Sequence, residues 1–197
     1  MDGLTDLVAE LVVEAGIPKN AILRRKRLEL PGFFRPTKKW DLLVMVDGDV
    51  VVAIEFKSQV GPSFGNNYNN RAEEALGNAT DLWTAYREGA FRTSPKPWLG
   101  YLMLLEEDPR STRPLAVKEP HFPVFDEFRG ASYALRYELL CRKFLRERLY
   151  DGACFLLSSP KEGITGGYKE PNRELSFRSF VASLTGHVTG YMNLADG

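Results

Sequence analysis

The sequence predicts one α/β domain, a mixed central sheet flanked by helices. Three observations lead there. The stretch "KWDLLVMVDGDVVVAIEFKSQVG", 39–61, holds two apolar runs around an Asp47-Gly48 turn, the pattern of a hairpin. "PWLGYLMLL", 97–105, is apolar on both faces, as a strand covered by helices on each side must be. Segments of helical spacing stand before, between and after these strands.

In chain order, residues 3–15 place Leu4, Leu7, Val8, Leu11 and Val12 on one helical face, and Gly16 and Pro18 end that helix. Residues 21–30, "AILRRKRLEL", read as an edge strand with a basic middle, and Pro31-Gly32 turns the chain into the hairpin. "GPSFGNNYNN", 61–70, reads as a polar loop feeding a helix over 71–88, with Asn70 as its cap and Glu73 three residues on, as in a capping box. Ala72, Ala75, Leu76, Ala79, Trp83 and Tyr86 make that helix's inner face, and Gly89 stops it. A long loop over 106–130 contains Pro109, Pro114, Pro120 and Pro123; loops of such length in a compact domain are functional or disordered. An Arg-rich helix over 132–150 follows, then a short buried strand, "ACFLLSS", over 153–159. A Gly-rich loop leads to a last helix over 173–189.

Bulk composition excludes several classes. The chain has 197 residues, enough for one domain with a core, and 44% hydrophobic with 26% charged residues is ordinary for a globular protein. Lys plus Arg equals Asp plus Glu at 26 each, so the net charge is zero. That argues against holding nucleic acid by bulk charge alone and leaves a local basic groove open. Cys141 and Cys154 sit in apolar or helical patterns without a CxxC or Cys/His cluster, which argues for buried free thiols in a reducing cytosol and against zinc. The N-terminus lacks the basic region of a signal peptide, and the apolar runs are too short to cross a membrane.

The chemistry lies in the hairpin. Glu55 and Lys57 alternate onto one face of the second strand, and Asp41 heads the first strand 14 residues before Glu55. Two adjacent carboxylates repel unless a cation sits between them, and hard oxygen ligands suit Mg²⁺, which keeps waters for substrate oxygens. A neighbouring Lys can orient or deprotonate a water, or neutralise transition-state charge. Register tests this reading. A two-residue loop at Asp47-Gly48 puts Asp41 on the wrong face, whereas a three-residue loop ending at Gly48 puts it on the face of Glu55. The metal-site reading therefore predicts an odd loop or a β-bulge. The rival reading is a solvated strand end with an Asp turn and a Glu/Lys pair, and spacing alone does not separate the two.

The surrounding words are more specific. P-T-K-K-W-D, 13 residues, then E-F-K resembles the PD-(D/E)xK nuclease signature, with Pro36 a little further from Asp41 than in the simplest form. "LPGFFRPTKKWD", "EFKSQVGPSFGNNYNNRAEEALGNATDLWTAYREGAF" and "PHFPVFDEFRGASYALRYELLC" resemble the XhoI-type family of type II restriction endonucleases, from about Met1 to the helix around Cys141 and more weakly beyond. The resemblance implies a PD-(D/E)xK restriction-endonuclease-like core and a Mg²⁺-dependent homodimer that cuts both strands of palindromic double-stranded DNA. The target would be CTCGAG, with 5′ overhangs. It implies a partner DNA methyltransferase in the same restriction-modification system, and a prokaryotic cytoplasm. Asp41, Glu55 and Lys57 match the catalytic triplet, with Asp41 and Glu55 on the metal and Lys57 acting on the water. Relatives are expected to carry a further segment before the position of Met1. The alternatives are a structure-specific repair or junction nuclease and a truncated DNA-binding relic.

Other residues are DNA-binding candidates. Asn66, Asn67, Asn69, Asn70 and Arg71 directly follow the E-x-K strand; Asn can read adenine and Arg guanine, but the same residues make turns and caps. Arg24, Arg25, Lys26 and Arg27, with Lys38 and Lys39, are candidate phosphate contacts, of which Arg25, Lys38 and Lys39 are the strongest. Asp6, Glu10 and Glu14 recur on one helix face, which is commonly solvated; Glu10 or Glu14 is a lesser metal candidate. His121 and His187 read as structural or DNA-facing. "GITGGY" lacks the ending of a phosphate-binding loop.

Overall fold

The computed structural model describes residues 2–195. The elements are α1 (Asp2–Glu14), β1 (Ile22–Leu23), β2 (Glu29–Pro31), β3 (Thr37–Lys39), β4 (Leu42–Val46), β5 (Asp49–Gln59), α2 (Phe64–Arg87), β6 (Trp98–Glu106), α3 (Pro109–Thr112), α4 (Tyr133–Arg146), β7 (Gly152–Ser158), α5 (Pro160–Ile164) and α6 (Phe177–Ala195). The main sheet runs β1-β4-β5-β6-β7. β5 pairs antiparallel with β4 and parallel with β6, and β6 pairs parallel with β7, so the sheet is mixed. β2 and β3 form a separate two-stranded ribbon.

Each face of the sheet carries a core. Ala53, Tyr101, Met103 and Phe155 pack against Phe64, Ala79, Tyr137 and Phe144 of α2 and α4. Val52, Ile54, Phe56 and Leu102 pack against Val8, Val12, Leu184 and Val188 of α1 and α6. β6 is buried on both faces, as its unbroken apolar run requires. Among the described residues, no helix is long and apolar enough to cross a membrane. Cys141 and Cys154 are buried free thiols whose ionisation burial pushes far up.

Four expectations are corrected. The edge strand over 21–30 breaks after Leu23. Arg24–Arg27 are exposed, with Arg27 at φ 59°, and the chain leaves the main sheet there to bury Leu28 and Leu30 in the ribbon. The polar loop at 61–70 is largely helix: α2 begins at Phe64, so Asn70 lies inside it and caps nothing. Gly and Asn are weak helix formers, but Phe64 is buried and stacks on Tyr133, and Tyr68 meets the Tyr137 ring edge-on at 5.1 Å. Packing overrides propensity there. Leu76 of the expected inner face is exposed, while Asn78 and Asp81 are buried. The Gly-rich segment opens with the short helix α5, capped by Ser159 and Glu162.

Candidate active site

The hairpin resolves the register question by a bulge. Its loop is the tight pair Asp47-Gly48, with φ of 51° and 94°, where Gly48 is at ease and Asp47 tolerable. Val46 pairs with Asp49 and Met45 with Val50, but Val44 pairs with Val52. Val51 is therefore the extra residue of a β-bulge. It shifts the pairing by one, so that Leu42 meets Ile54 and Asp41 falls beside Glu55. The bulge is anchored from behind, where His187 of α6 places Nε2 3.1 Å from the Val51 carbonyl.

Glu55 and Lys57 project from β5 toward the α2 side, and Glu55 is 2% exposed. A buried carboxylate needs partners. Lys38, from β3, places Nζ 2.6 Å from Glu55 Oε2, and Lys57 pairs with Oε1. Lys57 also lies 3.7 Å from Glu74 Oε2 on α2, which accepts from Arg71 at 2.7 Å. Charges thus alternate from β3 across β5 to α2. Burial raises Glu74's carboxyl, yet the bond and charge of Arg71, with Lys57, hold it below its ordinary value.

Asp41 is tied at both ends. Its N–H donates to the Ile54 carbonyl at 3.2 Å, and its Oδ2 accepts the Phe56 N–H at 2.7 Å. Burial lifts its carboxyl above the ordinary value and the charge of Glu55 adds to this; the Phe56 N–H, Lys57 and Lys38 oppose. Asp41 also opens on a cleft of about 330 Å³ lined by Asp2, Thr5, Asp6, Arg24, Arg25 and Phe56. The acids of α1 beside Asp41 are thus Asp2 and Asp6, the latter paired with Arg24. Glu10 instead faces a separate small cleft with Lys19 and Ile22.

The structure brings together Asp41, Glu55, Lys57 and Lys38. Lys38, read from sequence as a phosphate contact, is half-buried on Glu55 and lies 4.7 Å over the Trp40 ring. Arg25 is exposed at the cleft and Lys39 is exposed on the ribbon. Asn66, Asn69 and Asn70 are exposed on the first turns of α2, Asn67 is half-buried, and Arg71 is engaged by Glu74. Sequence reasoning missed Glu74, for which the only signal was its spacing of three from Arg71. Among the described residues, no group of three or more His, Cys, Asp or Glu side chains is placed to hold a metal. The protein offers two hard carboxylates, a donor set that fits Mg²⁺ completed by water rather than a zinc site of Cys and His.

A mixed sheet with two carboxylates and a lysine at the open end of its bulged central hairpin is a restriction-endonuclease-like core. The sequence model of the family "Restriction endonuclease XhoI" matches residues 1–170. The chain belongs to that family, one of type II site-specific deoxyribonucleases. It is 52% identical over 193 residues to the type II restriction enzyme BstVI of Geobacillus stearothermophilus, covering 95% of this chain and 86% of that one. It is 50% identical over 147 residues to the type II restriction enzyme XhoI of Xanthomonas vasicola, covering 74% of this chain and 59% of that one. With the type II restriction enzyme AbrI of Azospirillum brasilense it shares 58% over 123 residues, 62% of this chain and 55% of that one. No solved structure matches the chain.

Proposed function

We propose that the protein is a Mg²⁺-dependent type II restriction endonuclease that cuts both strands of the palindrome CTCGAG as a homodimer. The observation that carries this reading is the bulge at Val51, which sets Asp41 beside Glu55 while Lys57 stays on the same carboxylate. A strand end without chemistry has no need of that register. Two copies suit a palindrome, one site for each strand.

In this reading Asp41 and Glu55 hold the ion, which would neutralise charge on the scissile phosphate and acidify a bound water. Lys57 is close enough to Glu55 to share its field and orients the attacking water or takes its proton. The water oxygen bonds to phosphorus as the bond from phosphorus to O3′ breaks, and the products are a 5′-phosphate and a 3′-hydroxyl. Lys38 offsets the charge of Glu55 so that both carboxylates can stand in one place. Arg25 and Lys39 supply exposed charge for phosphates, and the Asn residues of α2 supply amides for base edges. The place of action would be a prokaryotic cytoplasm, with a methyltransferase protecting the host's own sites.

The test is digestion of a mapped plasmid bearing one CTCGAG site, in Mg²⁺, with Glu55→Ala alongside. Linear product ending at that site from the wild type, and none from the variant, supports both target and triplet. Cutting at another sequence overturns the target. Cutting by both proteins overturns the assigned site.

A further inference from the structure

The ribbon that delivers Lys38 to Glu55 ends, at its other end, in two exposed phenyl rings. Phe33 is 53% and Phe34 69% exposed, and they pack edge to face with centroids 5.2 Å apart. Exposed aromatics on a slack loop would carry little meaning, but this tip is fastened. Asp81, buried in the middle of α2, accepts the N–H of Phe33 at 2.7 Å and of Phe34 at 2.8 Å on one oxygen. Its other oxygen takes Arg35 Nε at 2.7 Å, and Arg35 also donates to the buried Asn78 at 2.6 Å. Gly32 has no room for a side chain: a Cβ there would strike the Asp81 carboxylate and stand 2.8 Å from the Arg35 carbonyl. A buried carboxylate spent on the backbone of a surface tip fixes the two rings before any partner arrives.

The charge at the ribbon's opposite end, and the site that this end feeds, select the partner. At that end Arg25, Lys26 and Arg27 are exposed, Arg24 is paired with Asp6, and Lys39 on the ribbon is faced by Glu29. A polyanion meets them favourably. Phe34 lies four residues from Lys38, about 13 Å of extended chain, so the tip reaches a few base steps from the carboxylates.

We propose that the Phe33-Phe34 tip is a wedge that enters a groove of duplex DNA beside the cut and pries against a base step. Apolar side chains inserted this way unstack a step and kink the duplex. This role rests on the nuclease reading above and deepens it by naming the element that deforms the substrate.

The experiment uses the duplex that the wild type cuts, with 2-aminopurine placed in turn at positions in and flanking the site, held uncut in Ca²⁺. With wild-type protein the fluorescence should rise at one step. Phe33→Ala/Phe34→Ala should lose that rise and bind the duplex weaker by on the order of tenfold, the scale of one base–aromatic contact. Its melting temperature and its sedimentation without DNA should match the wild type. Gly32→Ala, which keeps both rings but displaces the tip, should lose the rise as well. Retained signal and affinity in the double variant would overturn the wedge while leaving the nuclease reading intact. Altered sedimentation of the double variant without DNA would overturn it in favour of a second copy. A wild type that neither binds nor cuts duplex DNA would end both readings.

Discussion

Glu55 shows at the scale of one residue why charged side chains interrupt a greasy strand. It is nearly inaccessible, and a carboxylate in that position is tolerable only between ammonium groups. Lys38 and Lys57 provide them, one on each oxygen. Glu55→Gln keeps the shape and removes the charge, leaving two ammonium groups around a neutral amide. We expect cleavage to fall by on the order of a thousandfold, several kcal/mol of transition-state stabilisation, with the circular-dichroism spectrum unchanged. Single-turnover cleavage rates check this, and a loss under tenfold would remove Glu55 from the chemistry. Glu55 and Lys57 were legible as a pair because strand alternation forces them to one face. Lys38 was legible only as a charge, since its arrival at Glu55 depends on the path of a ribbon with no sequence signature.

At the scale of elements, the bulge and α2 decide the site. Val51 carries the register shift, and His187 reaches its carbonyl from a helix 136 residues away. Donation to that carbonyl puts the neutral ring's proton on Nε2. Burial lowers the ring's proton affinity below the ordinary value, against the opposing bond to Val51 and the charge of Asp151. A histidine depressed in the folded state leaves the unfolded chain holding more protons below about pH 6.5, so its contribution is intact above that value and declines below it. Wild-type stability should therefore drop more between pH 7.5 and 5.5 than that of His187→Gln, as urea midpoints will show; equal drops would release His187 from this role. The bulge was anticipated from the arithmetic of the hairpin, but the choice of bulge over a three-residue loop was not. The early start of α2 was illegible for a different reason. Its first two turns are rich in Gly and Asn, and Phe64 and Tyr68 within them pack on the rings of Tyr133 and Tyr137 on another helix.

For the whole molecule, two cores clamp the sheet and a zero net charge surrounds it. Phe144 is fully buried, 5.2 Å from the Tyr101 ring and 4.9 Å from that of Tyr150. Phe144→Ala should cost about 3–5 kcal/mol in denaturant unfolding, because so large a gap at the centre of the α4 layer cannot close. A cost under about 1 kcal/mol would show that the layer repacks. With no excess of positive charge overall, DNA affinity must come from one face. Arg25→Gln should flatten the dependence of log affinity on log salt by about one, the share of one phosphate contact. An unchanged slope would place the backbone of the DNA elsewhere.

The sequence by itself determined the class of fold, the hairpin, the central strand and the family, and it named Asp41, Glu55 and Lys57 as the candidate triplet. Those features are local: alternation, turn chemistry and apolar runs act over a few residues, and a family's words sit in contiguous stretches. Only the tertiary structure decided that Val51 bulges, that Lys38 enters the site, that Glu74 joins it, and that Asp81 fixes an exposed pair of phenyl rings. Most of these rest on contacts between segments far apart in the chain, and buried Glu55 and Asp81 each needed partners that no short window of sequence contains.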